Sequence, residues 1–105
     1  MTRLTELKTG AELATADALD PEVAAELART ALANQLAILV IRYRVDHGLT
    51  QTALARKLGM KQPQVARLEA GDHEPSVATL ARLANRLGIT LRLDLAPDSV
   101  ELISA

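Results

Sequence analysis

Residues 50–71 read TQTALARKLGMKQPQVARLEAG, and the rest of the chain is organised around them. Leu54, Ala55 and Leu58 share one helical face, at i, i+1 and i+4. Gly59 follows, and glycine enters a left-handed C-terminal turn without steric cost. A second inner face forms at Val65, Leu68 and Glu69. Pro63 suits the first turn of that helix, where its missing N–H loses no intrahelical bond. Gly71 ends it, and the small Ala55 lets the two helices cross closely. Two short helices joined by a tight turn are the sequence form of a helix-turn-helix, whose second helix enters the DNA major groove.

Upstream, Asp20-Pro21-Glu22 marks a helix start: a capping carboxylate, a proline for the first position, and an acid near the positive dipole end. No breaker follows until Gly48. Val23, Leu27, Ala31, Asn34 and Ile38 trace one stripe, and Leu32, Leu36, Leu39 and Tyr43 another. Residues 36–41, LAILVI, are apolar all round, so this helix needs burial on more than one side. Its own core or a partner subunit would supply the second surface. Residues 1–19 carry Leu4, Leu7 and Ala11 at helical spacing, with Gly10 interrupting; a loosely ordered segment with one short helix is expected.

Downstream, residues 71–75 form a turn-rich loop and Ser76 caps a further helix, with Val77, Leu80, Leu83, Ala84 and Leu87 on one face and Gly88 as its stop. From Ile89 to Leu95 apolar and polar residues alternate strictly, which predicts a half-buried strand. Ala96-Pro97-Asp98-Ser99 is a turn, and residues 99–103 return as a shorter strand. A lone hairpin is marginal in water and its free edge is a liability. The tail therefore predicts a homodimer closed through a shared sheet, with Ile89, Leu91, Leu93 and Leu95 as dimerisation residues. The fold class is mainly α: a helix-turn-helix bundle of about five helices, with a long N-terminal helix and a C-terminal β-strand or hairpin. We divide it into an N-terminal extension and partner-binding helix (1–33), a helix-turn-helix domain (34–88) and a dimerisation hairpin (89–105).

Composition narrows the function. At 105 residues and 49% hydrophobic, the chain is one domain with an aliphatic core, since Tyr43 is its only aromatic residue. That excludes the base-stacking platforms of single-strand binders. Without cysteine there is no disulfide framework and no thiolate zinc site. No apolar run approaches a membrane span and no signal peptide is evident, so a cytoplasmic protein without membrane contact is expected. His47, at a helix C-terminus, and His73, in a loop, have no ligand-spaced partner; no metal is expected. Asp17, Asp20 and Glu22 are read as a cap and a solvated helix end rather than as catalytic acids. No nucleophile–base pair or phosphate-binding glycine loop occurs, so neither an enzyme nor a cofactor is expected.

The net charge of −1 is unevenly spread. Residues 1–33 hold three basic and six acidic residues, a net −3, while residues 50–71 hold four basic and one acidic, a net +3. The local field, rather than the overall charge, steers a protein onto phosphate.

Leu49-Thr50-Gln51, Leu54-Ala55, Gly59, Gln62, Val65, Leu68-Glu69 and Gly71 together resemble the helix-turn-helix of lambda- and Cro-type phage repressors, the xenobiotic-response-element (XRE) family. The resemblance spans about Val40 to Leu87 and implies double-stranded operator DNA as the ligand. It places Lys61, Gln62, Gln64 and Arg67 on the reading surface. Gln62 matches a glutamine that contacts adenine, whose N6 and N7 suit an amide's donor and acceptor. Arg67 would reach guanine or a phosphate. Gln51 matches a phosphate-binding glutamine at a helix N-terminus. Arg56 and Lys57 are further phosphate candidates, or else a solvated face. Pro63 departs from the family's polar residue, and Lys61 from its Ser or Thr cap. Arg44 and Glu69 stand where many such repressors keep a buried ion pair.

The Asp-Pro-Glu start, the long helix and the Ile-x-Leu-x-Leu strand are similar to HigA-type antitoxins. That implies a homodimer repressing its own operon and neutralising a small basic RelE- or HigB-like toxin, with Val23 and Leu27 as partner-binding residues. The alternatives are a free-standing XRE-family regulator and an interaction module without DNA readout.

Overall fold

The computed structural model describes residues 20–104. Four helices and a hairpin follow in order: α1 (Pro21–Asp46), α2 (Gln51–Leu58), α3 (Gln62–Ala70), α4 (Val77–Leu87), β1 (Leu91–Ala96) and β2 (Ser99–Ser104). The expected additional short helix falls in residues 1–19, outside the described residues.

Local chemistry sets most helix ends. Asp20 Oδ1 accepts the Glu22 N–H at 2.7 Å, Thr50 Oγ1 the Ala53 N–H at 3.0 Å, and Ser76 Oγ the Thr79 N–H at 3.1 Å. Lys61 has no capping oxygen, so α3 starts differently: Gln64 Oε1 reaches back to accept the Lys61 N–H at 2.8 Å. Gly71, at φ +69°, ends α3 directly against α1; a Cβ there would lie 3.0 Å from Asn34 Oδ1 and 3.3 Å from Ala37 Cβ.

The core joins Leu36 and Val40 of α1, Leu54, Ala55 and Leu58 of α2, Val65 of α3 and Leu83 of α4. All are aliphatic, and each is at most 2% exposed. The inner face of α1 is thus the Leu32–Leu36 stripe together with Ala33, Ala37 and Val40. The other stripe looks outward: Val23 is 46% and Ile38 56% exposed. α1 runs unbroken through residues 33 and 34.

Three expectations need correction. Val77 does not share the buried face of α4, because at the first helical position it stands clear of the bundle, 81% exposed. Ile89 precedes the strand: its N–H is spent on Ala84 O at 3.1 Å, completing the turn after Gly88, and β1 begins at Leu91. Nor is the strand half-buried within one chain. Leu91 packs on the core, but the rest of β1 is exposed while β2 faces α1: Leu93 is 39% and Leu95 71% exposed. α1 is long and apolar enough to cross a bilayer by length and composition, although its inner stripe is committed to the helical core.

The hairpin is antiparallel, with Ala96 paired to Ser99 across a two-residue turn and Leu91 to Ser104 at its far end. β2 packs extensively against α1. The Gln35 amide fastens it, donating Nε2–H to Val100 O and accepting the Leu102 N–H, both at 2.6 Å.

Candidate nucleic-acid interface

A line of hydrogen bonds runs from the interior to the surface. Arg44 of α1 donates Nε–H to Glu69 Oε2 at 2.7 Å and Nη2–H to Glu69 Oε1 at 3.1 Å, and its Nη1 bonds Leu49 O at 3.2 Å. Glu69, its side chain 8% exposed, also accepts Gln51 Nε2–H at 3.0 Å. Gln51 Oε1 accepts Gln62 Nε2–H at 2.8 Å. The network fixes both amide orientations. A carboxylate only accepts, so Gln51 must present its NH₂ to Glu69 and its oxygen to Gln62.

Burial by itself would raise the Glu69 carboxyl. The hydrogen bonds from Arg44 and Gln51, with the Arg44 charge, outweigh it and hold the group below the usual carboxylate range. Glu69 is therefore a fixed anion, and Gln62 is anchored to it through Gln51.

The consequence for Gln62 is chemical. One of its two N–H donors is used on Gln51, leaving one donor and the whole carbonyl oxygen at an exposed helix start. One donor and one acceptor in a plane are what the N7 and N6 edge of adenine takes. Gln51 likewise retains one N–H at the first position of α2, where helix amides favour an anion.

The other candidates lie apart from this line. Lys61, Gln64 and Arg67 are exposed, but the Gln64 oxygen is occupied as the α3 cap, leaving its NH₂ outward. Arg67 Nη2–H points at His73 Nε2 at 3.3 Å, and His73 Nδ1–H donates to Asp72 Oδ1 at 2.6 Å. His73, expected from the sequence only not to bind a metal, thus hydrogen-bonds an arginine of α3. Arg56 and Lys57 occupy the last turn of α2, the end away from Gln51, where cations meet the negative helix dipole.

Sequence reasoning missed Arg82 and Arg86. They come to the same end of α2: Arg82 Nη1 donates to Gly59 O at 2.9 Å, and a Cβ on Gly59 would lie 3.4 Å from Arg86 Nη2. Their i, i+4 spacing on α4 was the available signal. Val23 lies in the first turn of α1, exposed, with Leu27 one turn on and partly covered. Among the described residues no His, Cys, Asp and Glu cluster suits a metal ion. Tyr43 stacks on His47, ring centroids 3.9 Å apart, and a His47 ring nitrogen lies 2.8 Å from Tyr43 O.

Residues 40–93 match the helix-turn-helix family model. The chain belongs to the helix-turn-helix family. Among its relatives, the antitoxin HigA1 of Mycobacterium tuberculosis (strain ATCC 25618 / H37Rv) is 34% identical over 81 residues, covering 77% of this chain and 54% of the relative. An uncharacterized HTH-type transcriptional regulator of Haemophilus influenzae is 38% identical over 65 residues, 62% of either chain. The uncharacterized HTH-type transcriptional regulator MJ0272 of Methanocaldococcus jannaschii is 35% identical over 49 residues, 47% of this chain and 74% of the relative. The chain spans about half the length of HigA1. No solved structure gave a significant match.

Proposed function

We propose that this protein is a sequence-specific, double-stranded DNA-binding repressor acting as a homodimer, and the autoregulating antitoxin of a HigBA-like type II toxin–antitoxin pair. The observation that carries the DNA reading is the Arg44–Glu69–Gln51–Gln62 line, which leaves Gln62 one free donor and one free acceptor at an exposed helix start. A solvated face has no use for an amide held in one orientation; base recognition does, because an immobilised side chain loses less entropy on binding. Lys61, Gln64 and Arg67 flank Gln62 on the reading surface. Gln51, Arg56 and Lys57 serve phosphates, fixing register without reading sequence.

DNase footprinting on the protein's own upstream DNA tests this. We expect two protected half-sites about 34 Å apart, centre to centre, and an affinity that falls steeply with salt. Absence of protection at low salt refutes it, and salt-independent binding favours an interaction module.

The antitoxin part rests on the HigA1 similarity and on the acidic stretch ahead of the reading unit. α1 opens with Glu22 and Glu26 beside exposed Val23, a face suited to a small basic toxin. A neighbouring gene should then encode a small basic protein that co-purifies, and Val23→Asp with Leu27→Asp should abolish co-purification while leaving the footprint intact. A free-standing regulator is the second reading, favoured by the two relatives described only as transcriptional regulators. It prevails if no neighbour co-purifies.

A further inference from the structure

The two edges of the hairpin are treated differently. Val100 O and Leu102 N–H point away from β1, and the Gln35 amide occupies both. One side chain of α1 thus stands where a third strand would lie, and the outer edge of β2 is closed. Leu95 and Leu93 are the residues paired with Val100 and Leu102, so their own N–H and C=O point to the outer edge of β1. The sheet has two strands, so no strand lies beside that edge among the described residues. β1 holds neither proline nor glycine, and it carries the exposed Leu93 and Leu95. Such an edge is a template for another strand.

The sequence of β1 says which strand. Residues 91–95, Leu-Arg-Leu-Asp-Leu, are self-complementary about Leu93. We propose that β1 pairs antiparallel with β1 of a second copy, with Leu93 on the two-fold axis, giving a four-stranded sheet β2–β1–β1–β2. In this register Arg92 lies opposite the partner's Asp94, and Asp94 opposite the partner's Arg92. Leu91 meets the partner's Leu95 on the other face.

No neighbouring register does this. With Asp94 or Arg92 on the axis, like charges face each other. With Leu91 there, Arg92 faces the partner's Thr90; with Leu95 there, Asp94 faces the partner's Ala96. The arrangement also answers a conflict inside the hairpin. Asp94 sits directly opposite Glu101, a destabilising like-charge pair, and its nearest cation, Arg92 on the same strand, reaches it only at 3.6 Å. The partner's Arg92 would flank Asp94 on its open side.

This inference deepens the homodimeric reading above and rests on it. Because the chain has no cysteine, single cysteines report the register directly. Leu93→Cys should cross-link to itself on mild oxidation, since the paired Cα atoms lie about 5.5 Å apart. Leu91→Cys and Leu95→Cys alone should not, because like positions sit about 13 Å apart along the strands, but a mixture of the two should cross-link to each other. Arg92→Glu and Asp94→Arg should each weaken the dimer about tenfold or more, and the double reversal should restore it. Both side chains are exposed, so helical circular dichroism should not change.

Self-cross-linking at Leu95→Cys but not at Leu93→Cys overturns the register. Full-strength dimers of both single reversals overturn the interface. A monomeric full chain that dimerises on removal of residues 1–19 also overturns it, by showing that this segment holds the edge. The DNA reading fails separately: it falls if the cross-linked dimer gives no footprint, and it stands if monomeric Arg92→Glu still binds a half-site with a steep salt dependence.

Discussion

Replacing Glu69 by alanine removes the hub of the interior line. The carboxylate accepts three hydrogen bonds, at 2.7, 3.0 and 3.1 Å, from Arg44 and Gln51, and its side chain is 8% exposed. Breaking a buried pair by deleting one partner typically costs about 3–5 kcal/mol, because a charge is left uncompensated. Here the remaining guanidinium keeps its bond to Leu49 O and is 23% exposed, so water recovers part of that loss. The expected destabilisation is about 2–3 kcal/mol, or a fall in melting temperature of about 10 °C for a chain of this size. Urea unfolding followed by far-ultraviolet circular dichroism, at one fixed protein concentration, measures it. The slope of the transition should stay constant, since the surface exposed on unfolding does not change. Glu74→Ala is the control: Glu74 lies exposed in the following loop, and its loss should stay within about 0.5 kcal/mol. A second readout separates packing from function. Once Glu69 is gone, Gln51 loses the acceptor that orients it and Gln62 loses its anchor, so base preference at the Gln62 position should relax even where the variant is fully folded. If Glu69→Ala and Glu74→Ala unfold at the same urea concentration, the network is not a structural hub and the reasoning fails.

The same group sets an acid limit. Glu69 has a depressed folded-state pKa, so its contribution is complete above the unfolded value, about 4.3, and is lost as pH falls below it through the folded value; the urea midpoint of Glu69→Ala should therefore depend less on pH in that window than that of the parent. Gln62→Ala should weaken the preferred operator by about 1–3 kcal/mol and flatten discrimination at one base pair, whereas Lys57→Ala should weaken all sequences alike; competition binding with single-base operator variants distinguishes them. Gly71→Ala should destabilise more than Gly48→Ala in thermal melts. Both glycines have positive φ, a strain of about 1–2 kcal/mol for other residues, but a Cβ at Gly71 also meets Asn34 and Ala37 while Gly48 faces open space.

The sequence by itself determined the helices, their ends and the type of the tail. Asp20, Thr50 and Ser76 cap through oxygens that reach N–H groups two or three residues away, and Gly59 and Gly88 adopt left-handed turns that depend on one residue's φ. These are local effects, and a short window contains all of their causes. The inner faces of α2 and α3 follow from periodicity in the same way. Tertiary structure decided which of the two apolar stripes of α1 faces inward, because that depends on where α2 and α3 land. It decided that Arg82 and Arg86 meet the end of α2, since those contacts join residues with a whole helix between them, and that His73 folds back over the Gly71 turn onto Arg67. The strand pattern was readable at Ile89–Leu95, but alternation gives only the period of a strand. Burial requires a surface to lie against, and of the leucines in β1 only Leu91 packs against the core. That the β2 edge of the hairpin is closed depends on Gln35, which lies 65 residues before Val100 in sequence and touches it only once the chain has folded.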